Sequence, residues 1–297
     1  MFAANNGTVI NAALSVATVT SSPLFGLSKN YFLLTGIAGV NPKLGTIGAV
    51  TFAKFAVQVD TQLEFDGREI PSTWSTGYVP MGADSPESFP RIIHGSEVYE
   101  LNDDLRQVCI SFARTATLED SAAAAEHRAL YAGSPNGIYH AATLDPSIIA
   151  GDVASSNVFW HGSLLCEGME KVFKIYTAGK VEYAMTASED TAIMTALLRA
   201  ALQKQVDFSR IILMRGGSNF DRSYSNSIPP SLPYILDQGG LEPAKRNLNL
   251  SGLNVVQGIL EGWSTTFEHG IEANNYVGDV FGSLGGIPDF LPREKDL

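Results

Sequence analysis

Apolar positions recur at helical spacing over residues 8–20, where Ile10, Ala13, Leu14 and Ala17 share a face, and Ser21-Ser22-Pro23 closes that segment as a turn. An apolar run over 31–36 predicts a strand. It ends in a glycine-dense stretch, Gly36, Gly39, Gly45 and Gly48, before a second strand over 47–60. There "VTFAKFAVQVD" alternates in part, Val57 and Val59 against Gln58 and Asp60, so one face is solvated or lines a site. Residues 64–92 hold Pro71, Pro80, Pro86 and Pro90 and read as a long loop, a length often tied to function. Helices are expected over 102–115 and 118–132, both opening on acidic residues. "SNVFWHGSLL" (156–165) reads as strand-like and leads into a mixed segment to Lys180. A helix over 187–205 follows, with Ile193, Leu197 and Ala200 on one face. Then come a strand over 210–215, a second long loop over 216–240 and a C-terminal helix over roughly 250–268. This order describes an α/β sheet with crossover helices.

Composition narrows the function classes. With 297 residues, 45% hydrophobic, the chain can bury a large core without staples, as one domain or two. The formal charge is −11 and no run of Lys or Arg occurs, which argues against nucleic acid or an anionic membrane surface as partner. No stretch of 18 apolar residues escapes polar or glycine interruption, so no membrane span is expected. The start shows no basic segment followed by an apolar core, so no signal peptide is expected either. Cys109 and Cys166 lie far apart without CxxC spacing, which implies neither a disulfide framework nor zinc and leaves the compartment open, secreted or cytoplasmic. Two glycosylation sequons, at Asn6 and Asn249, matter only in the first case. His94, His127, His140 and His269 lack metal-ligand spacing, and no phosphate-binding loop, dinucleotide fingerprint, HExxH or GxSxG occurs. No metal or cofactor is expected.

Three clusters could carry chemistry. Ser188-Glu189-Asp190 heads the 187–205 helix: as structure it complements the helix dipole, as a site its Glu189 carboxylate accepts hydrogen bonds from vicinal hydroxyls. Arg215-Gly216-Gly217-Ser218-Asn219-Phe220-Asp221 sits where a strand gives way to a loop, the usual ligand position in open sheets. Asn219 could both donate to and accept from a heterocycle edge, and Asp221 could protonate a leaving nitrogen; the bland alternative is an Asx turn with a structural arginine. Trp160-His161-Gly162-Ser163 offers an aromatic face to a planar base, or simply a core tryptophan.

Together, "NGTVINAALSVATV", "TGIAGVNPKLGTIGAV", "SEDTAIMTAL" and "LMRGGSN" resemble, in order, the landmarks of the nucleoside phosphorylase and nucleosidase superfamily. More closely, "NYFLLTGIAGVNPKLGTIGAVTFAKFAVQVD", "GSEVYELNDDLR", "DFSRIILMRGGSNFDR" and "GDVFGSLGGIPDF" resemble the purine nucleoside permease family over about residues 5–290. The resemblance implies one three-layer α/β/α sandwich with a mixed, partly closed central sheet spanning 1–297. It implies cleavage of the N-glycosidic bond of a purine nucleoside. Under it Glu189, with Ser188 beside it, binds the ribose, and Asn219 meets the purine N7 side, with Asp221 as an alternative proton donor. Trp160, His161 and Ser163 frame the base, and Gly36 and Gly39 lie against the ribose and the attacking phosphate or water. It also implies a homo-oligomer.

Two departures shape the expectation. Phosphorolytic relatives place Ser or Thr after the first glycine of the turn, where this chain has Ile37, which tilts the reading toward hydrolysis. The family also carries some tens of residues before "NGTVINAA", so the chain is expected to lack its first strands and a water-orienting carboxylate. The leading expectation is a purine nucleoside hydrolase. The alternatives are a phosphorylase, a non-catalytic nucleoside binder associated with uptake, and a storage or structural derivative of the fold.

Overall fold

Of the glycine-rich stretch, Gly36 and Gly39 lie in an inner strand of the sheet, and Gly45 and Gly48 in the connection that follows it. The computed structural model describes residues 8–225, Ile235 and residues 237–290. Helix α1 (Val9–Thr20) leads into β1 (Phe32–Val40), then β2 (Val50–Ala53), β3 (Phe55–Gln58), a small hairpin of β4 (Gln62–Glu64) and β5 (Tyr78–Pro80), and β6 (Val98–Glu100). Helices α2 (Asp103–Ala113) and α3 (Ala122–Ala129) precede β7 (Ile148–Ala150) and β8 (Asp152–Ser155). The chain continues through α4 (Ser163–Tyr176), β9 (Tyr183–Ala187), α5 (Asp190–Leu202), β10 (Ile211–Phe220), α6 (Leu241–Glu261) and β11 (Gly278–Asp279).

The main sheet runs β11-β6-β3-β8-β9-β1-β10-β2-β7 and mixes parallel and antiparallel pairs: β1 runs parallel to β10 but antiparallel to β9. Strand alternation sorts its side chains to opposite layers. Ile211 and Leu213 of β10 enter a core with Ala12 of α1 and Ile193 and Leu197 of α5. Ile212 and Met214 enter another with Leu105, Cys109 and Ile110 of α2 and Val255 and Ile259 of α6. A third core packs Met169, Val172 and Phe173 of α4 on Phe55 and Val57 of β3. The architecture is the three-layer α/β/α sandwich with a mixed central sheet that the sequence led us to expect.

Two strands bend and serve both ends of the sheet. β2 and β3 are one run of chain broken at Lys54, and β7 and β8 one run broken at Gly151. β2 pairs with β10 and β7, β3 with β6 and β8, so the sheet curls back on itself. The buried Asp152 carboxylate pins the bend: its Oδ1 accepts from the N–H groups of Lys54 (2.9 Å) and Phe55 (2.7 Å). Burial raises the Asp152 pKa against the opposing pull of these bonds, Arg106 and Lys54. A carboxyl with a raised folded pKa binds protons more tightly folded than unfolded, so its contribution is full below the unfolded value and falls as pH rises through the folded one. Asp152→Ala strands two buried donors and should cost about 2–4 kcal/mol in urea unfolding at pH 7. Asp152→Asn keeps the acceptor, should stay within about 1 kcal/mol of the parent, and should lose that portion of the pH dependence.

The expected boundaries shift for local reasons. Ser121 caps α3 by accepting from Ala124 N–H (3.1 Å), so that helix starts at Ala122, not 118. "SNVFWHGSLL" is no strand: Val158 and Phe159 are exposed, and Cys166, Met169, Val172 and Phe173 instead recur as a helix, α4. Helix α6 starts at Leu241, nine residues before the expected 250, because Pro243 is accommodated in its first turn, where no N–H partner is needed. The loop expected over 216–240 begins as strand up to Phe220; residues 226–234 and Leu236 lie outside the described residues, as does the Asn6 sequon.

Candidate functional site

Strands β1 and β9 pair only at Gly39–Thr186 and Val40–Met185. The same antiparallel register would set Ile37 against Ser188 and Gly36 against Glu189, but β9 ends at Ala187 and the chain turns into α5. The strands therefore part and leave a crevice with 36–38 on one wall and 187–189 on the other. Asn41 N–H donates to Ala184 O (2.9 Å) on the β9 side, so by alternation the peptide groups of Gly39 and Ile37 also face that side. Beyond Gly39 they face the opening. The Ile37 side chain is 46% exposed and apolar, so what Ile37 offers a ligand is its backbone N–H and C=O.

At the mouth stands Glu189. It occupies the N-cap position of α5 but makes no side-chain capping hydrogen bond, which weakens the purely helical account of the acidic pair. The buried Arg215 of β10 holds it instead, Nη2 donating to Glu189 Oε1 at 2.9 Å. The same guanidinium binds both oxygens of buried Asp190, through Nη2 and, at 3.2 Å, through Nε. Burial alone would lower the Arg215 pKa, but Asp190 and Glu189 raise it overall, and burial raises that of Asp190 against Arg215. Two carboxylates face one guanidinium, which leaves excess negative charge at the crevice, suited to ligand O–H donors. Gly36 makes room for this arrangement: a Cβ there would lie 2.2 Å from Arg215 Nη1 and 3.7 Å from Glu189 Oε1. Ser188 is nearly buried, and its carbonyl accepts from Ser155 Oγ at 3.0 Å, fixing the turn that presents Glu189.

At the closed end lies Asn219. The β1–β10 register slips between Ala38–Gly217 and Gly39–Asn219, so Ser218 bulges out of the ladder. Its hydroxyl lies within hydrogen-bond distance of Ala38 O (3.1 Å) and Asn219 Oδ1 (2.9 Å). Asn219 Nδ2 gives one N–H to Phe220 O (3.3 Å), so with Ser218 donating to Oδ1 the amide presents its second N–H. Gly39 is the floor: a Cβ there would lie 2.6 Å from Thr186 Oγ1 and 3.9 Å from Asn219 Nδ2.

The remaining expected residues gather around Asp221. Asp221 is buried, and both its oxygens are engaged: Tyr183 Oη donates to Oδ2 (2.7 Å) and Arg222 Nε to Oδ1 (2.8 Å). Arg222 also pairs with Glu170 (2.8 Å), and Glu170 with Lys43 (2.7 Å), so two cations balance two carboxylates. Trp160 packs edge-on to Tyr183, with ring centroids 6.2 Å apart. Gly162 N–H donates to Asp221 O (3.0 Å), and Ser163 opens α4. Burial holds the His161 imidazole below its usual pKa, against the pull of Asp221. The structure thus sets Trp160, His161 and Ser163 beside Asp221 and Tyr183, and Glu189 with Asn219 around Gly36 and Gly39. Sequence reasoning missed Thr186, Tyr183 and Glu170, whose partners lie far off along the chain, and Arg222, which joins the adjacent Asp221 to the distant Glu170. Among the described residues no His, Cys, Asp and Glu cluster suits a metal, and no helix is long and apolar enough to cross a membrane.

Comparison with known proteins fixes the family. The model of the purine nucleoside permease family matches residues 2–272. The chain belongs to the purine nucleoside permease family. A purine nucleoside permease of Candida albicans (strain SC5314 / ATCC MYA-2876) is 35% identical over 298 residues, covering 97% of this chain and 71% of the relative. A probable purine nucleoside permease of Schizosaccharomyces pombe is 33% identical over 267 residues, covering 86% and 74%. Among solved structures, a 5'-methylthioadenosine/S-adenosylhomocysteine nucleosidase from Neisseria meningitidis, in complex with methylthio-immucillin-A, superposes at a TM-score of 0.44 with 15% identity, over 84% of this chain and 78% of that one. Futalosine hydrolase of Helicobacter pylori gives 0.44 and 14%, over 84% and 76%.

Proposed function

We propose that this permease-family chain binds a purine nucleoside in the crevice between β1 and β9 and hydrolyses its N-glycosidic bond. The observation that carries the reading is the Glu189 carboxylate, withheld from helix capping and held at the crevice mouth by Arg215. A carboxylate so placed accepts from the two ribose hydroxyls and stabilises positive charge developing on the sugar. Asn219 at the closed end hydrogen-bonds the base as negative charge builds there. Ile37 offers phosphate no hydroxyl, which favours water as nucleophile.

A second reading, binding without turnover in support of uptake, has its own support. The curated relatives carry the name permease, and the Asn219 amide has no proton to give to a leaving base, while the Asp221 carboxylate is tied to Arg222 and Tyr183. A reducing-sugar assay on inosine and adenosine separates the two. Free ribose released at the same rate with and without phosphate is the expected result. Ribose 1-phosphate as main product would overturn hydrolysis, and saturable binding without sugar release would establish the second reading.

A further inference from the structure

Thr186 and Asn219 flank the same glycine. Both pair with Gly39, Thr186 from β9 and Asn219 from β10. Position 39 has no side chain to cover the Thr186 hydroxyl, since a Cβ there would lie 2.6 Å from it, closer than real Cβ atoms come. Thr186 is half-buried, and its hydroxyl makes no hydrogen bond among the described residues. A strand position wants a β-branched residue, and valine would serve the packing equally well. The hydroxyl therefore sits uncommitted at the apex where the strands part, next to the Asn219 Nδ2 donor.

We propose that Thr186 contacts the bound ligand directly, its hydroxyl and the Asn219 carboxamide together holding the polar edge of the heterocycle at the closed end of the crevice. This rests on reading the crevice as a purine nucleoside site. The base, and not the sugar, is assigned to Thr186 by distance: Thr186 pairs with Gly39 while Glu189 lies beside Gly36, three positions apart along β1 and roughly 10 Å at strand rise, too far for the two to share one pair of hydroxyls. The chemistry also fits. Purine edges alternate acceptors and donors, and a hydroxyl that can do either complements an amide presenting N–H.

The test measures calorimetric affinities of the full chain for inosine, adenosine and the free bases hypoxanthine and adenine, with Thr186→Val and Thr186→Ser beside the parent. Thr186→Val should weaken base and nucleoside by the same factor, about three- to tenfold for one lost hydrogen bond, and Thr186→Ser should retain parental affinity. Unchanged affinity in Thr186→Val would overturn the proposal. So would an equal loss in both variants, which marks packing, or a loss confined to nucleosides, which marks the sugar. A folded parent that binds none of the four at millimolar concentration would overturn the nucleoside reading itself, and the proposal with it.

Discussion

Glu189→Gln is expected to lower affinity or kcat/KM for a purine nucleoside by roughly ten- to a hundredfold while leaving free purine base bound about as before. The carboxylate's charge strengthens each hydrogen bond from a ribose hydroxyl, and the amide keeps the shape while losing that charge. Free base carries no ribose and does not reach the mouth. Asn219→Ala should behave oppositely, weakening base and nucleoside alike, because it strips the closed end. Equilibrium binding of both ligand types to both variants forms a crossed test. If Glu189→Gln weakened base as much as nucleoside, or weakened neither, the ribose role would be wrong. A purely helical role for Glu189 would show only as a stability change of a few tenths to about 1 kcal/mol.

The second large effect concerns stability. Arg215→Met should destabilise the fold by about 3–5 kcal/mol, because it leaves the fully buried Asp190 carboxylate without its counter-ion. Asp190→Asn in the Arg215→Met background should recover part of that loss, since it removes the unpaired charge. Urea unfolding of the single and double variants reads both. An Arg215→Met protein as stable as the parent would show that Asp190 is already neutral in the folded state. The crevice would then be less negative than two carboxylates against one guanidinium make it.

What could be read from the sequence was what local periodicity encodes. Ile193, Leu197 and Ala200 marked the buried face of α5, and the apolar run at 31–36 marked β1, which in fact extends to Val40 because its glycines remain in the ladder. Strands β7, β8 and β9 were missed: they have three to five residues each, too few to show a period. The site divides the same way. Glu189 and Asn219 stood out beside glycines and a helix start, but the room at Gly36 could not be assigned to Arg215, because that contact exists only once β1 lies parallel to β10, 179 residues apart at the Gly36–Arg215 pair. Nor could the state of Asp221 be foreseen. It looked available as an acid, yet Tyr183, 38 residues upstream, and the adjacent Arg222 engage it in the folded chain.

The two bent strands have a consequence for how a ligand enters. Residues 50–58 and 148–155 each belong to both ends of the sheet, so no cut through it leaves two halves joined by a hinge. Many α/β proteins admit substrate by swinging two lobes apart. Here a lobe motion would have to tear ladder hydrogen bonds on both sides of Lys54 and Gly151 and pull the Lys54 and Phe55 amides away from Asp152. The crevice walls are in effect braced by the sheet's own curvature. On the proposed reading of the crevice as the ligand site, traffic is left to the mouth beside Glu189, where side chains and loops, not the breathing of the whole sheet, would set the rate at which a ligand arrives and leaves.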